Sequence, residues 1–171
     1  ENIKYIKLKE SKNYYEKLQI GLKEATGDYY IIMNDDVYYP PNSCKLRVLE
    51  LIDNKSNVMG ITHSGFFHIN KFISLIDVIP FNDKLSNRIM PHSISMTKEF
   101  YQKYNKTDYK YIHQLLDNTD IYEAEWQSIG VCLLHNRNTG TKSLPSDEPN
   151  GCHYGWSDEL FLFITNLDVE L

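Results

Sequence analysis

Long apolar runs are missing from this chain. No stretch reaches the roughly 18 continuous apolar residues that a membrane span requires, so no transmembrane segment is expected. Positive charge is also in deficit: 18 Lys and Arg stand against 23 Asp and Glu, a net charge of -5. That balance argues against a nucleic-acid partner or an anionic lipid surface, and a phosphate ligand would need a cation brought in from elsewhere. Cysteine is scarce. Cys44, Cys132 and Cys152 are odd in number and far apart, which points to reduced thiols in a cytoplasmic setting and away from a disulfide framework. There is no internal repeat, no low-complexity tract and no glycine-rich basic loop of the kind that cradles a nucleotide phosphate. The polar start at Glu1-Asn2 does not read as a signal peptide. What remains is 171 residues with 42% hydrophobic composition, enough for a single domain with a sizeable core.

The centre of the chain is residues 25–41, Ala-Thr-Gly-Asp-Tyr-Tyr-Ile-Ile-Met-Asn-Asp-Asp-Val-Tyr-Tyr-Pro-Pro. Residues 29–33 are an apolar run rich in β-branched and aromatic residues, the pattern of an interior strand in an α/β sheet. Asn34, Asp35 and Asp36 fall where that strand ends. Ligands of open α/β sheets bind outside the carboxyl ends of the strands, so two carboxylates there are placed to hold a metal ion. A polar turn before two prolines is the plainer alternative.

Around this centre the pattern predicts a strand over 3–8, then a helix capped by Ser11 or Asn13. Tyr14, Leu18, Leu22 and Ala25 recur along that helix, and Gly27 supplies a left-handed end. Asn42-Ser43 can cap a second helix with Leu46, Leu49 and Ile52 along one face, and a strand is expected over 58–62. Residues 63–93 fit neither period cleanly, although Ile69, Phe72, Ile73 and Ile76 would share one helical face as a packed or acceptor-covering segment. A brief strand over 94–96 leads to Thr97, the expected cap of a helix carrying Phe100, Tyr101 and Tyr104. A further helix is expected from His113 or Gln114 to Ser128, aligning Asp117, Asp120 and Glu123 on one face. A strand over 131–134 delivers His135. Residues 136–155 read as a long loop, and 156–164 resume an apolar pattern around Asp158 and Glu159.

Gly21-Leu22-Lys23-Glu24-Ala25-Thr26-Gly27-Asp28-Tyr29-Tyr30-Ile31-Ile32-Met33-Asn34-Asp35-Asp36 resembles the segment of family 2 type glycosyltransferases in which a helix ending Ala-x-Gly-Asp-Tyr leads through a strand into an Asp-x-Asp-type motif. Asp117-Asn118-Thr119-Asp120-Ile121 followed by Gly130-Val131 resembles that family's Glu-Asp-x-Asp-Leu stretch. The resemblance implies an α/β fold of GT-A type, with a central mixed, mostly parallel sheet flanked by helices. It also implies a single partial domain over 1–171, truncated at its N-terminus, because relatives carry two further β-α units of about 30 residues each ahead of the corresponding position.

The implied chemistry is sugar transfer from a nucleotide-diphosphate-sugar donor to a glycan, lipid-linked or protein acceptor, with Mn²⁺ or Mg²⁺ and inversion at the anomeric carbon. Asp36 is the implied metal ligand, and His135 falls where relatives place a histidine that completes the metal site. Asp35 is implied to contact the ribose or support the metal. Asn34 stands where many relatives carry another acid. For the general base, Asn118 replaces the usual Asp and cannot act, leaving Asp117, Asp120 or Asp158. A rival reading is a non-catalytic GT-A-like fragment that binds a glycan or a protein. A zinc set drawn from Cys132, His135, Cys152 and His153 lacks a standard spacing.

Overall fold

Helix α1, Tyr14–Glu24, starts on a capping box: Asn13 Oδ1 accepts from the Glu16 amide and the Glu16 carboxylate accepts from the Asn13 amide, both at 2.9 Å. Two otherwise orphaned donors are thereby satisfied. The helix buries Tyr15 and Leu22. It ends because Ala25 turns extended, at φ -75° and ψ 136°. Gly27 is not in the left-handed region, so it does not play the terminating role expected of it; an extended cap leads into the next strand without one.

The computed structural model describes residues 3–71, 73–78, 82–105, 109–117, 119–126, 129–135, 138 and 162. After α1 come β1 (Tyr29–Ile31), β2 (Val37–Tyr38), α2 (Ser43–Asp53), β3 (Val58–Gly60), β4 (His63–His68) and β5 (Ile73–Val78). Then follow α3 (Leu85–Arg88), a 3₁₀ turn (Pro91–Ser93), β6 (Ser95–Thr97), α4 (Lys98–Tyr104), α5 (Ile112–Leu116), β7 (Tyr122–Glu123) and β8 (Val131–Leu134).

The strands form two four-stranded sheets. The main sheet has the order β1-β6-β3-β7 and the second sheet β2-β8-β4-β5. In the main sheet β6 is antiparallel to both β1 and β3, and β3 is parallel to β7. Three of its four strands therefore run one way and β6 alone runs back between them: a mixed sheet, mostly of one direction, flanked by helices as expected. Alternation along β3 divides the core. Val58 joins Tyr15, Leu22, Tyr30, Met96, Phe100, Ile112 and Leu115 on the α1, α4 and α5 side, whereas Met59 joins Leu51 and Ile129 on the α2 side. Each such side chain, fully buried, contributes about 1.5–3 kcal/mol. Among the described residues no helix is long and apolar enough to cross a membrane.

Four further expectations are corrected. Residues 3–8 form no strand; among the described residues no strand pairs with them, Ile3 and Tyr5 remain exposed, and an unpaired strand is not stable. Helix α2 turns inward not its leucine face but Arg47, which is 0% exposed, while Leu46, Leu49 and Ile52 face outward. The inward face is Ser43, Arg47 and Leu51, with Leu51 in the core and Arg47 bonded to carbonyl oxygens described below. The irregular stretch beginning at His63 is a hairpin, β4 pairing antiparallel with β5 from His63↔Val78 to His68↔Ile73. Its strands hide their period because Gly65 is covered by Trp126 and Ser64 and Ser74 are buried. The helix expected up to Ser128 stops at Leu116, since Asp117 turns extended and Tyr122–Glu123 pairs with β3 instead. Asp117, Asp120 and Glu123 therefore do not share a helical face.

Candidate active site

Beyond β1 the chain stays in register for one more residue, the Ile32 amide donating to Ile94 O at 3.0 Å. It then leaves the main sheet. The Asn34 amide donates to the Tyr39 hydroxyl at 2.8 Å, and Asn34 Oδ1 accepts from the Tyr14 hydroxyl at 3.0 Å. Asp35 and Asp36 make the turn; Asp35 is exposed and Asp36 half-buried. Asp36 O accepts from the Leu133 amide at 2.8 Å, and β2 pairs antiparallel with β8 through Val37↔Cys132 and Tyr38↔Val131.

That register fixes the relation between Asp36 and His135. Because side chains alternate between faces, Asp36 and Tyr38 share a face with Val131, Leu133 and His135. Tyr38, Phe67, Ile69, Val131 and Leu133 form one apolar cluster on it. Asp36 lies opposite Leu133, and His135, immediately after β8, is two positions further along the same face. One side chain joins them: Asn138 Oδ1 accepts from the His135 amide at 2.6 Å, while Asn138 Nδ2 donates to Asp36 Oδ2 at 3.1 Å and to Leu133 O at 3.3 Å. Cys132 points to the opposite face, where its sulfur lies 3.7 Å from His92 Nδ1. A zinc pair of Cys132 with His135 is thus ruled out, and Cys152 and His153 lie outside the described residues.

Two tyrosines and an arginine surround this strand end. Tyr14 is pushed up to about 12 by burial first and by the negative charge of Asp36 second. Burial likewise pushes Tyr39 up to about 12. Both phenols keep their protons at neutral pH, and the Tyr39 hydroxyl donates to His92 O at 3.3 Å. Arg47 lies beneath. Its Nε donates to Ser95 Oγ at 2.7 Å, and one terminal nitrogen reaches Ile94 O at 2.8 Å, Ile32 O at 3.1 Å and His92 O at 3.4 Å. Burial pushes it down to about 10, so it remains a cation at neutral pH. Among the described residues no carboxylate pairs with it.

The other acids sit apart from this network. Asp117 Oδ1 accepts from Ser86 Oγ at 2.8 Å. Asp117 also faces His113, one helical turn earlier; burial lowers His113 and the Asp117 charge opposes that shift. Asp120 is exposed and enters β7, which runs in the same direction as β1, so it lies toward the edge opposite the end of β1. Asp158 and Asn118 lie outside the described residues. A cleft of about 400 Å³ is lined by Asn13, Tyr14, Tyr15, Pro91, Lys110 and His113 among others. Of its lining residues, Tyr14 donates to Asn34 and His113 interacts with Asp117. Among the described residues no three His, Cys, Asp or Glu side chains gather at one point. The β2–β8 register gives the Asp36 carboxylate and the His135 imidazole the same face. A carboxylate oxygen and an imidazole nitrogen are donor types that suit a divalent ion.

Sequence reasoning missed Asn138, Tyr14, Tyr39 and Arg47. Asn138 reaches Asp36, and Tyr14 reaches Asn34, across 102 and 20 positions; Tyr39 bonds the Asn34 amide five positions away, through a side chain whose type alone does not announce the bond. Arg47 interrupts the polar face of a helix read from its leucines, and the only clue was the cation itself within an otherwise unpaired turn.

The fold and the strand-end acids define an α/β domain of GT-A type. The chain belongs to glycosyl transferase family 2, whose family model matches residues 1–112. The matched span contains α1, β1, Asn34, Asp35, Asp36 and Arg47; Asp117, Asp120 and His135 lie beyond it. No individual curated protein matches the chain.

Proposed function

We propose that this glycosyltransferase domain moves a sugar from a nucleotide-diphosphate-sugar donor to an acceptor hydroxyl with help from Mn²⁺ or Mg²⁺, inverting the anomeric carbon. The observation that carries the reading is the shared face of Asp36 and His135, tied together by Asn138 at the end of the β1 segment. A divalent ion held there supplies Lewis-acid stabilisation of charge on the departing diphosphate. Asp35, exposed beside it, is available to the ribose, and Asn34 orders the turn through Tyr14 and Tyr39. The acceptor is assigned to the cleft between Tyr14 and His113. Asp117 behind it is the favoured base among the three carboxylates considered, and a positioned base contributes about 10²- to 10⁴-fold.

Donor hydrolysis and transfer measured with and without Mn²⁺ test the assignment. Metal-dependent turnover that disappears in Asp36→Ala is expected, and turnover indifferent to that change would overturn it. One observation favours a second reading. Asp117 is engaged by Ser86 and Asp120 lies toward the far edge, which suits a domain that binds a glycan or protein without catalysing transfer. Nucleotide-sugar titrations separate the two, because a module of that kind shows no metal-dependent donor binding.

A further inference from the structure

Three backbone carbonyls converge at one point under the site: Ile32 O at the end of the β1 segment, and His92 O and Ile94 O at the approach to β6. Buried carbonyls must find donors. Arg47 reaches all three at 2.8–3.4 Å and anchors its Nε on Ser95. His92 O is shared, accepting from Arg47 and from the Tyr39 hydroxyl. That hydroxyl in turn receives the Asn34 amide at 2.8 Å. A continuous chain of hydrogen bonds therefore runs from a buried guanidinium through His92 O and the Tyr39 hydroxyl to the first residue of the acidic turn.

We propose that Arg47 and Tyr39 form a positioning brace that holds the Asn34-Asp35-Asp36 turn in its binding geometry before any ligand arrives. The geometry has two consequences. First, the turn is preorganised: the Asn34 amide is held by a phenol that stays protonated at neutral pH, and the next backbone anchor, Asp36 O on the Leu133 amide, is two residues away. Second, Arg47 occupies the negative ends of three carbonyl dipoles and adds a positive charge that no described carboxylate neutralises. Charge of that sign below the crevice favours an anion above it, and low-dielectric surroundings strengthen the effect. Neither residue touches the ligand in this account; both act through the turn.

The inference rests on the metal-diphosphate reading for its functional consequence, but the brace itself is tested without any ligand. Amide hydrogen exchange of the metal-free chain reads the Asn34 amide directly. Tyr39→Phe should speed exchange at Asn34 about 10-fold, with the melting temperature nearly unchanged, while amides in α1 and α4 keep wild-type rates. The functional arm titrates Mn²⁺ with UDP, GDP and dTDP in turn, into wild type and variants. For whichever nucleotide binds, Tyr39→Phe should weaken binding about 3- to 10-fold, the size of one hydrogen bond. Arg47→Lys, which keeps the charge, should retain more affinity than Arg47→Met. If the Arg47 variants do not fold, Tyr39→Phe still decides. Unchanged Asn34 exchange in Tyr39→Phe overturns the brace. Nucleotide binding lost in Asp36→Ala but unaltered in Tyr39→Phe overturns its functional role. Binding unaltered in Asp36→Ala contradicts the metal-site reading instead, and leaves the exchange result to decide the brace.

Discussion

Two acidic segments of this chain look alike in sequence and differ in what the fold does with them. Asn34-Asp35-Asp36 follows a strand of the main sheet and immediately enters β2, so ladder bonds on both sides hold it. Tyr39, Tyr14 and Asn138 fasten its side chains and backbone. The segment from Asp117 to Asp120 follows a five-residue helix and precedes a two-residue strand; Asp117 is held by Ser86 and Asp120 is exposed. The lesson is that carboxylates are held in a fixed direction when ladder bonds flank them on both sides. Acidic composition alone does not do so.

The sharpest way to break the comparison is to remove one acid from each segment. Asp36→Ala should weaken Mn²⁺-dependent nucleoside diphosphate binding by more than about 100-fold, beyond what loss of an outer partner costs. Asp120→Ala should stay within about 2-fold, as expected for an exposed side chain. Calorimetric titration reads both, and equal losses would erase the distinction.

Next in size is the buried support. Arg47→Leu leaves Ile32 O without its donor and takes one of two donors from His92 O and Ile94 O, at a cost of about 1–3 kcal/mol, so melting should fall by roughly 2–12 °C for a chain of this length. A comparable effect is expected at Gly130, where an added Cβ would sit 2.8 Å from Tyr38 O and 3.0 Å from Val37 Cγ1. Gly130→Ala should destabilise by about 1–3 kcal/mol by forcing β2 away from β8. Gly21→Ala, with open space around it inside α1, should instead stabilise by about 0.5–1 kcal/mol. Urea unfolding of the two variants gives shifts of opposite sign if the β2–β8 contact is as tight as it looks.

Smallest is a pH effect. Tyr14 and Tyr39 are raised from 10.0 to about 12 in the folded state. The folded chain keeps these protons after the unfolded chain has lost them. Their contribution is therefore complete below pH 10 and is lost as pH rises toward 12. Melting temperatures should fall between pH 10 and 12, and fall less steeply in Tyr39→Phe.

Much of the first segment was legible because its signals are local. The cap of α1, expected at Ser11 or Asn13 and found at Asn13, the Thr97 cap of α4, which accepts from the Phe100 amide, and the β-branched run before Asn34 each declare themselves within a few residues. The family resemblance lay in the same stretch and is borne out by the match over residues 1–112. The second segment was not legible, because its conformation depends on partners far away in sequence. Tyr122 and Glu123 leave a helical period only because Met59 and Gly60 offer a strand edge. Ser64 and Gly65 are buried side by side and Phe66 and Phe67 are adjacent, so β4 shows no clean period. The leucine stripe of α2 misled for a related reason: the buried face is Ser43, Arg47 and Leu51, with Arg47 bonded to three distant carbonyls, and Leu46, Leu49 and Ile52 face outward. Asp36 and His135 are 99 residues apart, and only the β2–β8 register reveals that they share a face.

That shared face is the central claim, and electron spin-echo spectroscopy of Mn²⁺ bound with a nucleoside diphosphate tests it most directly. Nitrogen coupling from one imidazole is expected in the wild-type chain and should vanish in His135→Ala. Bound Mn²⁺ with no such coupling, or with coupling that survives His135→Ala, would contradict the account.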